Sequence, residues 1–90
     1  MNPGKNDGLP RPVVTLFTRA GCHLCEDAKR LIDAARVRAE FDYEERDIDA
    51  DSELLRLYNE EVPVIAIDGR KAFKYRLDMN EFLKRLAARR

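Results

Sequence analysis

Cys22 and Cys25, the only two cysteines in 90 residues, stand three apart at the junction of two contrasting runs of sequence. Ahead of them, Val13-Val14-Thr15-Leu16-Phe17 is short, apolar and β-branched, the pattern of a strand buried on both faces. Behind them, Leu24, Ala28, Leu31, Ile32 and Ala35 recur at helical spacing, with Lys29, Arg30, Asp33 and Arg36 on the opposite side. The junction therefore demands a strand that turns through Thr18-Arg19-Ala20-Gly21 directly into an amphipathic helix of about four turns. The i to i+3 spacing puts both sulfurs on one face of its first turn, within reach of a small disulfide ring.

Phe41, Tyr43 and Ile48 among alternating polar residues predict a second strand near residues 42–47, half exposed at a sheet edge. Asp49, Asp51 and Ser52 offer caps for a short helix carrying Leu54, Leu55, Leu57 and Tyr58. Val62-Pro63-Val64-Ile65-Ala66-Ile67 reads as a third strand, with proline at its start where a ladder tolerates the missing N–H. Asp68-Gly69 is a strong hairpin signal, and residues 71–75 supply the returning strand. Asp78 and Glu81 form a capping-box pattern before the stripe of Met79, Phe82, Leu83 and Leu86. The order β-α-β-α-β-β-α is that of an α/β domain with a mixed four-stranded sheet flanked by helices. Its first two strands are parallel through a right-handed crossover and its last two antiparallel.

Residues 1–12 hold three of the four prolines and two of the four glycines and read as a flexible polar tail, leaving one domain over residues 13–90. That length is near the lower limit at which one core stabilises a fold. No apolar run approaches the roughly 20 residues of a membrane span, and the N-terminus lacks a signal peptide's apolar stretch. A cytoplasmic protein without membrane contact is expected. Charge is balanced overall but uneven: residues 40–61 carry ten acidic side chains against two arginines, and residues 70–90 eight basic against two acidic. Such runs read as solvated faces, and no nucleic-acid partner is expected without interleaved aromatics or a recognised motif.

Two cysteines are too few for a disulfide framework, and a bridge closing four residues constrains the unfolded chain very little, so the pair reads as reactive. Thiol–disulfide exchange needs a thiolate. At a helix N-terminus Cys22 meets unpaired N–H groups and the positive dipole end, and Arg19 and His23 add positive charge nearby. Cys22 is thus the expected acidic, exposed thiol, while Cys25, flanked by Leu24 and Ala28, keeps its proton longer. Two other readings stand beside this one. The cysteines could be passive core residues. They could also be metal ligands, but Cys22, His23 and Cys25 are too crowded to close a zinc site within one chain, so that reading needs a dimer.

A C-x-x-C after the first strand of a βαβ unit is the cue for a thioredoxin-like redox domain. With Val62-Pro63 opening the third strand and Asp68-Gly69 at the hairpin, the chain resembles a small glutaredoxin-like protein over residues 13–90. The resemblance implies a thioredoxin-like fold and a dithiol thiol–disulfide oxidoreductase, with Cys22 as nucleophile and Cys25 as resolving thiol. It implies that Pro63 is a cis-proline lying against the disulfide and that the Val62 backbone pairs with an incoming peptide or glutathione. Arg19 matches a basic position near the glutathione carboxylate, His23 adjoins the nucleophile, and Asp78 matches a residue at glutathione's γ-glutamyl end. The chain departs from the pattern in having His23-Leu24 between the cysteines. It also lacks a Gly-Gly pair ahead of Asp78, where Tyr75 and Arg76 narrow the subsite. The implied partners are a disulfide-bearing protein or glutathione, the latter as co-substrate, with no resident cofactor and a monomeric state. Two alternatives are an iron–sulfur-binding dimer and a non-catalytic binding module on the same fold.

Overall fold

The computed structural model describes residues 10–88, so residues 1–9 of the expected tail and residues 89–90 lie outside the described residues. The β-branched run after Pro12 forms strand β1 (Val13–Thr18), and the charged run after Phe41 forms β2 (Asp42–Asp47). Two further strands, β3 (Val64–Ile67) and β4 (Arg70–Lys74), complete a sheet of order β2-β1-β3-β4. β1 and β2 are parallel from Val13 opposite Asp42 to Thr18 opposite Asp47. β1 and β3 are antiparallel from Val14 opposite Ile67 to Phe17 opposite Val64. The β3–β4 register shifts between Ile65, opposite Phe73, and Ala66, opposite Lys71, which leaves Ala72 as the extra residue of a bulge.

Alternation along the strands sorts the two faces. Val14, Leu16, Ile65 and Ile67 join Ala28, Ile32 and Ala35 of helix α1 (His23–Ala35) in one buried cluster. Phe82 and Leu86 of helix α3 (Met79–Ala88) complete it, with Phe41 and Leu77 at its margins. Phe17 projects to the other face and meets Tyr58 of helix α2 (Ser52–Tyr58), ring centroids 4.7 Å apart. A 3₁₀ turn, Ile48–Ala50, leads from β2 toward α2, and Asp51 caps that helix by accepting the N–H groups of Glu53 and Leu54.

The element order matches the one expected, with small shifts at the ends. β3 starts two residues later than the sequence pattern suggests, because Pro63 has no N–H for the ladder and its carbonyl accepts from Tyr75 instead, at 2.8 Å. Asp68 (φ 52) and Gly69 (φ 84) both take left-handed backbone at the hairpin. Arg11 and Pro12, the last of the expected tail, run beside β2. The Pro12 carbonyl accepts from the Asp42 N–H at 2.8 Å, and Arg11 lies 3.4 Å from the Asp42 carboxylate. Exposed charges along β2 discourage a further strand from pairing with that edge.

Candidate functional site

Antiparallel pairing of Phe17 with Val64 makes the end of β1 and the start of β3 leave the sheet together. The Thr18–Cys22 turn and the Val62-Pro63 pair therefore occupy the same end of the domain. Gly21 (φ 76) supplies the left-handed residue that swings the chain into α1, and a side chain there would meet no neighbour, so the requirement is one of backbone conformation. Cys22 is the N-cap of α1. Its Sγ accepts the Cys25 N–H at 3.1 Å, and its carbonyl accepts from Glu26. The two cysteines stand in disulfide contact with Cα atoms 5.2 Å apart.

Cys25 has no exposed surface, whereas Cys22, expected to be exposed, is half-buried. His23, the first residue of α1, points into solvent. The Val62–Pro63 peptide bond is cis, with Pro63 buried and Val62 half-buried. Among the described residues, neither the N–H nor the C=O of Val62 has a hydrogen-bond partner. Asp78 caps α3, its Oδ1 accepting the N–H groups of Asn80 (2.9 Å) and Glu81 (3.3 Å). The returning half of a capping box, from the Glu81 side chain, is not formed.

Arg19 is engaged by its own chain. Its Nε and Nη2 donate to the two Asp49 carboxylate oxygens at 3.1 and 2.6 Å, and its Nη1 donates to the carbonyl and Oδ1 of Asn59 at 3.2 and 3.0 Å. Four hydrogen bonds use most of a guanidinium's donors. The turn before Cys22 is thereby tied to the 3₁₀ turn and to the residue that ends α2. No local signal in the sequence pairs Arg19 with groups 30 and 40 positions away.

The hydrogen bonds from Arg19 hold the Asp49 carboxyl below its ordinary range, and Asp49 in turn raises Arg19. Lys71, 2.6 Å from Glu61 Oε1, lowers the Glu61 carboxyl in the same way. A carboxyl that titrates lower when folded stabilises the fold above the unfolded group's range, and that contribution is lost as pH falls through the folded value. In an acid titration followed by circular dichroism, stability is expected to decline below about pH 4. The Asp49→Asn variant is expected to decline less over that window, and an identical slope would separate this pair from the acid response.

A concavity of about 290 Å³ lies between α1 and β2, away from the cysteines. Its charges satisfy one another: Lys29 lies 3.4 Å from Glu26 and 3.6 Å from Glu45, and the Arg36 guanidinium sits over the Tyr43 ring at 5.3 Å. Burial and the hydrogen bond to Glu45 push the Tyr43 phenol well up. Among the described residues, no group of three or more His, Cys, Asp or Glu side chains is arranged to hold a metal ion, and no helix is long and apolar enough to cross a membrane.

The profile of the Glutaredoxin-like domain (DUF836) matches residues 13–87. A glutaredoxin-like protein YDR286C homolog from Dictyostelium discoideum is 37% identical over 71 residues, covering 72% of this chain and 66% of that protein. The chain thus spans just under two thirds of that relative's length. The solution NMR structure of protein Ne2328 from Nitrosomonas europaea superposes with a TM-score of 0.77 at 28% identity, covering 94% of this chain and 98% of that one. A thioredoxin variant from Halobacterium salinarum superposes with a TM-score of 0.67 at 16% identity, covering 92% and 76%, and shows that the fold is thioredoxin-like. With a Cys22/Cys25 pair in C-x-x-C spacing at the head of its first helix, the chain belongs to the glutaredoxin-like (DUF836) family.

Proposed function

We propose that the protein is a dithiol thiol–disulfide oxidoreductase acting on disulfides of proteins or on glutathione mixed disulfides, with Cys22 as nucleophile and Cys25 as resolving thiol. One observation carries this reading: the sulfur of a half-buried cysteine caps a helix and accepts a backbone N–H, while its partner three residues on has no exposed surface. A thiolate at Cys22 is favoured by that N–H and by the helix dipole. In the first step it attacks a substrate disulfide; one S–S bond breaks, a mixed disulfide forms, and one substrate sulfur leaves and takes up a proton. Cys25 then loses its proton and attacks Cys22 Sγ, closing the internal disulfide and releasing the second substrate sulfur. Two electrons pass to the substrate, and an external thiol reductant restores the dithiol.

The unpaired N–H and C=O of Val62 are suited to accept an extended substrate backbone beside the reacting sulfurs. One chain supplies nucleophile, resolving thiol and aligning backbone, so the cycle runs in a monomer. In a reducing cytoplasm the pair rests as the dithiol. Since Arg19 is occupied by Asp49 and Asn59, glutathione bound here is expected to find its carboxylate contact elsewhere. Incubation of Cys25→Ser with a disulfide substrate is expected to accumulate a stable adduct on Cys22, read as an intact mass increase removed by dithiothreitol. Absence of any adduct would sink the mechanism.

A further inference from the structure

Residues 59–63 connect α2 to β3, and four of the five are held from outside the segment. Arg19 holds Asn59. The Tyr75 hydroxyl donates to the Glu60 carbonyl at 3.0 Å, Lys71 pairs with the Glu61 carboxylate at 2.6 Å, and the Tyr75 N–H donates to the Pro63 carbonyl at 2.8 Å. Only Val62 is left unheld. Among the described residues, Tyr75 is also one of two non-glycine residues with left-handed backbone, at φ 70, a conformation disfavoured for an aromatic side chain.

Glycine at position 75 would make the same N–H bond to Pro63 without that backbone penalty. What tyrosine adds is a hydroxyl that reaches Glu60 and a ring, partly exposed, along which the Lys74 ammonium lies 5.4 Å from the centroid. Residues in such conformations persist where the surroundings over-determine them and cluster at functional clamps. We infer that Tyr75 is a positioning residue: its hydroxyl fixes residues 60–63 so that the open Val62 backbone stands ready for a peptide substrate. This rests on the oxidoreductase reading above. It adds a specificity consequence, because a disulfide without a peptide backbone has nothing to align on Val62.

The test compares Tyr75→Phe, which keeps the ring and the N–H, with Tyr75→Gly, which also relieves the left-handed backbone. Pre-reduced protein is mixed with a disulfide-cyclised peptide or with bis(2-hydroxyethyl) disulfide, and second-order rates are read alongside the thermal midpoint. In Tyr75→Phe the peptide rate is expected to fall about threefold to tenfold, the range set by one lost hydrogen bond, with the small-disulfide rate unchanged and the midpoint lowered by no more than that one bond accounts for. Tyr75→Gly is expected to show at least that selectivity loss with a midpoint no lower than that of Tyr75→Phe, because it relieves the left-handed backbone. Equal losses on both substrates, or no loss on the peptide, overturn the positioning role while leaving the oxidoreductase reading intact. A parent protein inert toward both substrates overturns that reading, and the positioning role falls with it.

Discussion

Replacement of Cys22 by serine is expected to bring disulfide reduction down to the uncatalysed background, a loss of at least about 10³-fold, while leaving the fold in place. A serine hydroxyl stays protonated near neutral pH and forms no disulfide, so both the attack and the mixed intermediate disappear. The substitution nonetheless suits its position, because serine is among the preferred helix N-caps and its Oγ can take over the Cys25 N–H that Cys22 Sγ now accepts. Chemistry and structure are thus separable at this residue. The thermal midpoint of pre-reduced Cys22→Ser is expected to match that of the pre-reduced parent, and the rate with a peptide disulfide to match that of buffer. Residual turnover above a tenth of the parent rate would assign the attack to another group. Cys25→Ser is expected to behave differently, completing one attack per molecule and then stopping, because only resolution is lost.

The parts of this molecule that could be read from sequence are those where one residue's role is set by its near neighbours. The stripe behind Cys25 became a helix whose buried side holds Cys25, Ala28, Ile32 and Ala35, since a 3.6-residue period leaves few other ways to bury them. Alternation placed Asp42–Asp47 at a sheet edge, and Asp68-Gly69 closed the hairpin it predicted. Asp51 and Asp78 cap the helices they precede, as short acidic side chains ahead of an apolar period do. What escaped depends on pairs distant in sequence. Arg19 looked like a free cation for a ligand carboxylate, yet it meets Asp49 and Asn59 once the turn before Cys22 folds over the end of α2. Tyr75 reads as the last residue of the returning strand, but β4 ends at Lys74, and nothing in the residue's type announces the left-handed backbone that takes it out of the strand, which composition ordinarily flags through glycine. The cysteine pair was legible because both its members lie within one helical turn; the segment 59–63 at the same end of the sheet was not, because its restraints come from positions 19, 71 and 75.

Phe82→Ala is expected to be the most destabilising single substitution in the domain, by about 3–5 kcal/mol. Phe82 has no exposed surface and packs edge-on against both Phe41, with centroids 5.7 Å apart, and Phe73, at 6.3 Å. It thereby joins α3 to the residue that leads into β2 and to strand β4 across the sheet face that α1 also covers. A domain of this size has roughly 4–12 kcal/mol of total stability, so the cavity removes a large share of it. Urea titration is expected to show a midpoint far below the parent's, with Phe82→Leu in between because most of the volume is kept. A loss under about 1 kcal/mol would mean that α3 does not hold this core together. The buried resolving thiol gives an independent readout. In a Cys22→Ser background, Cys25 is the only cysteine, and with no exposed surface it can be alkylated only when its surroundings open. Where reclosing is faster than alkylation, the labelling rate follows the population of open molecules. Adding Phe82→Ala is therefore expected to raise Cys25 labelling by about the factor that the urea curves give for unfolding. Faster labelling without matching destabilisation would instead locate the opening at the first turn of α1, where the two sulfurs meet.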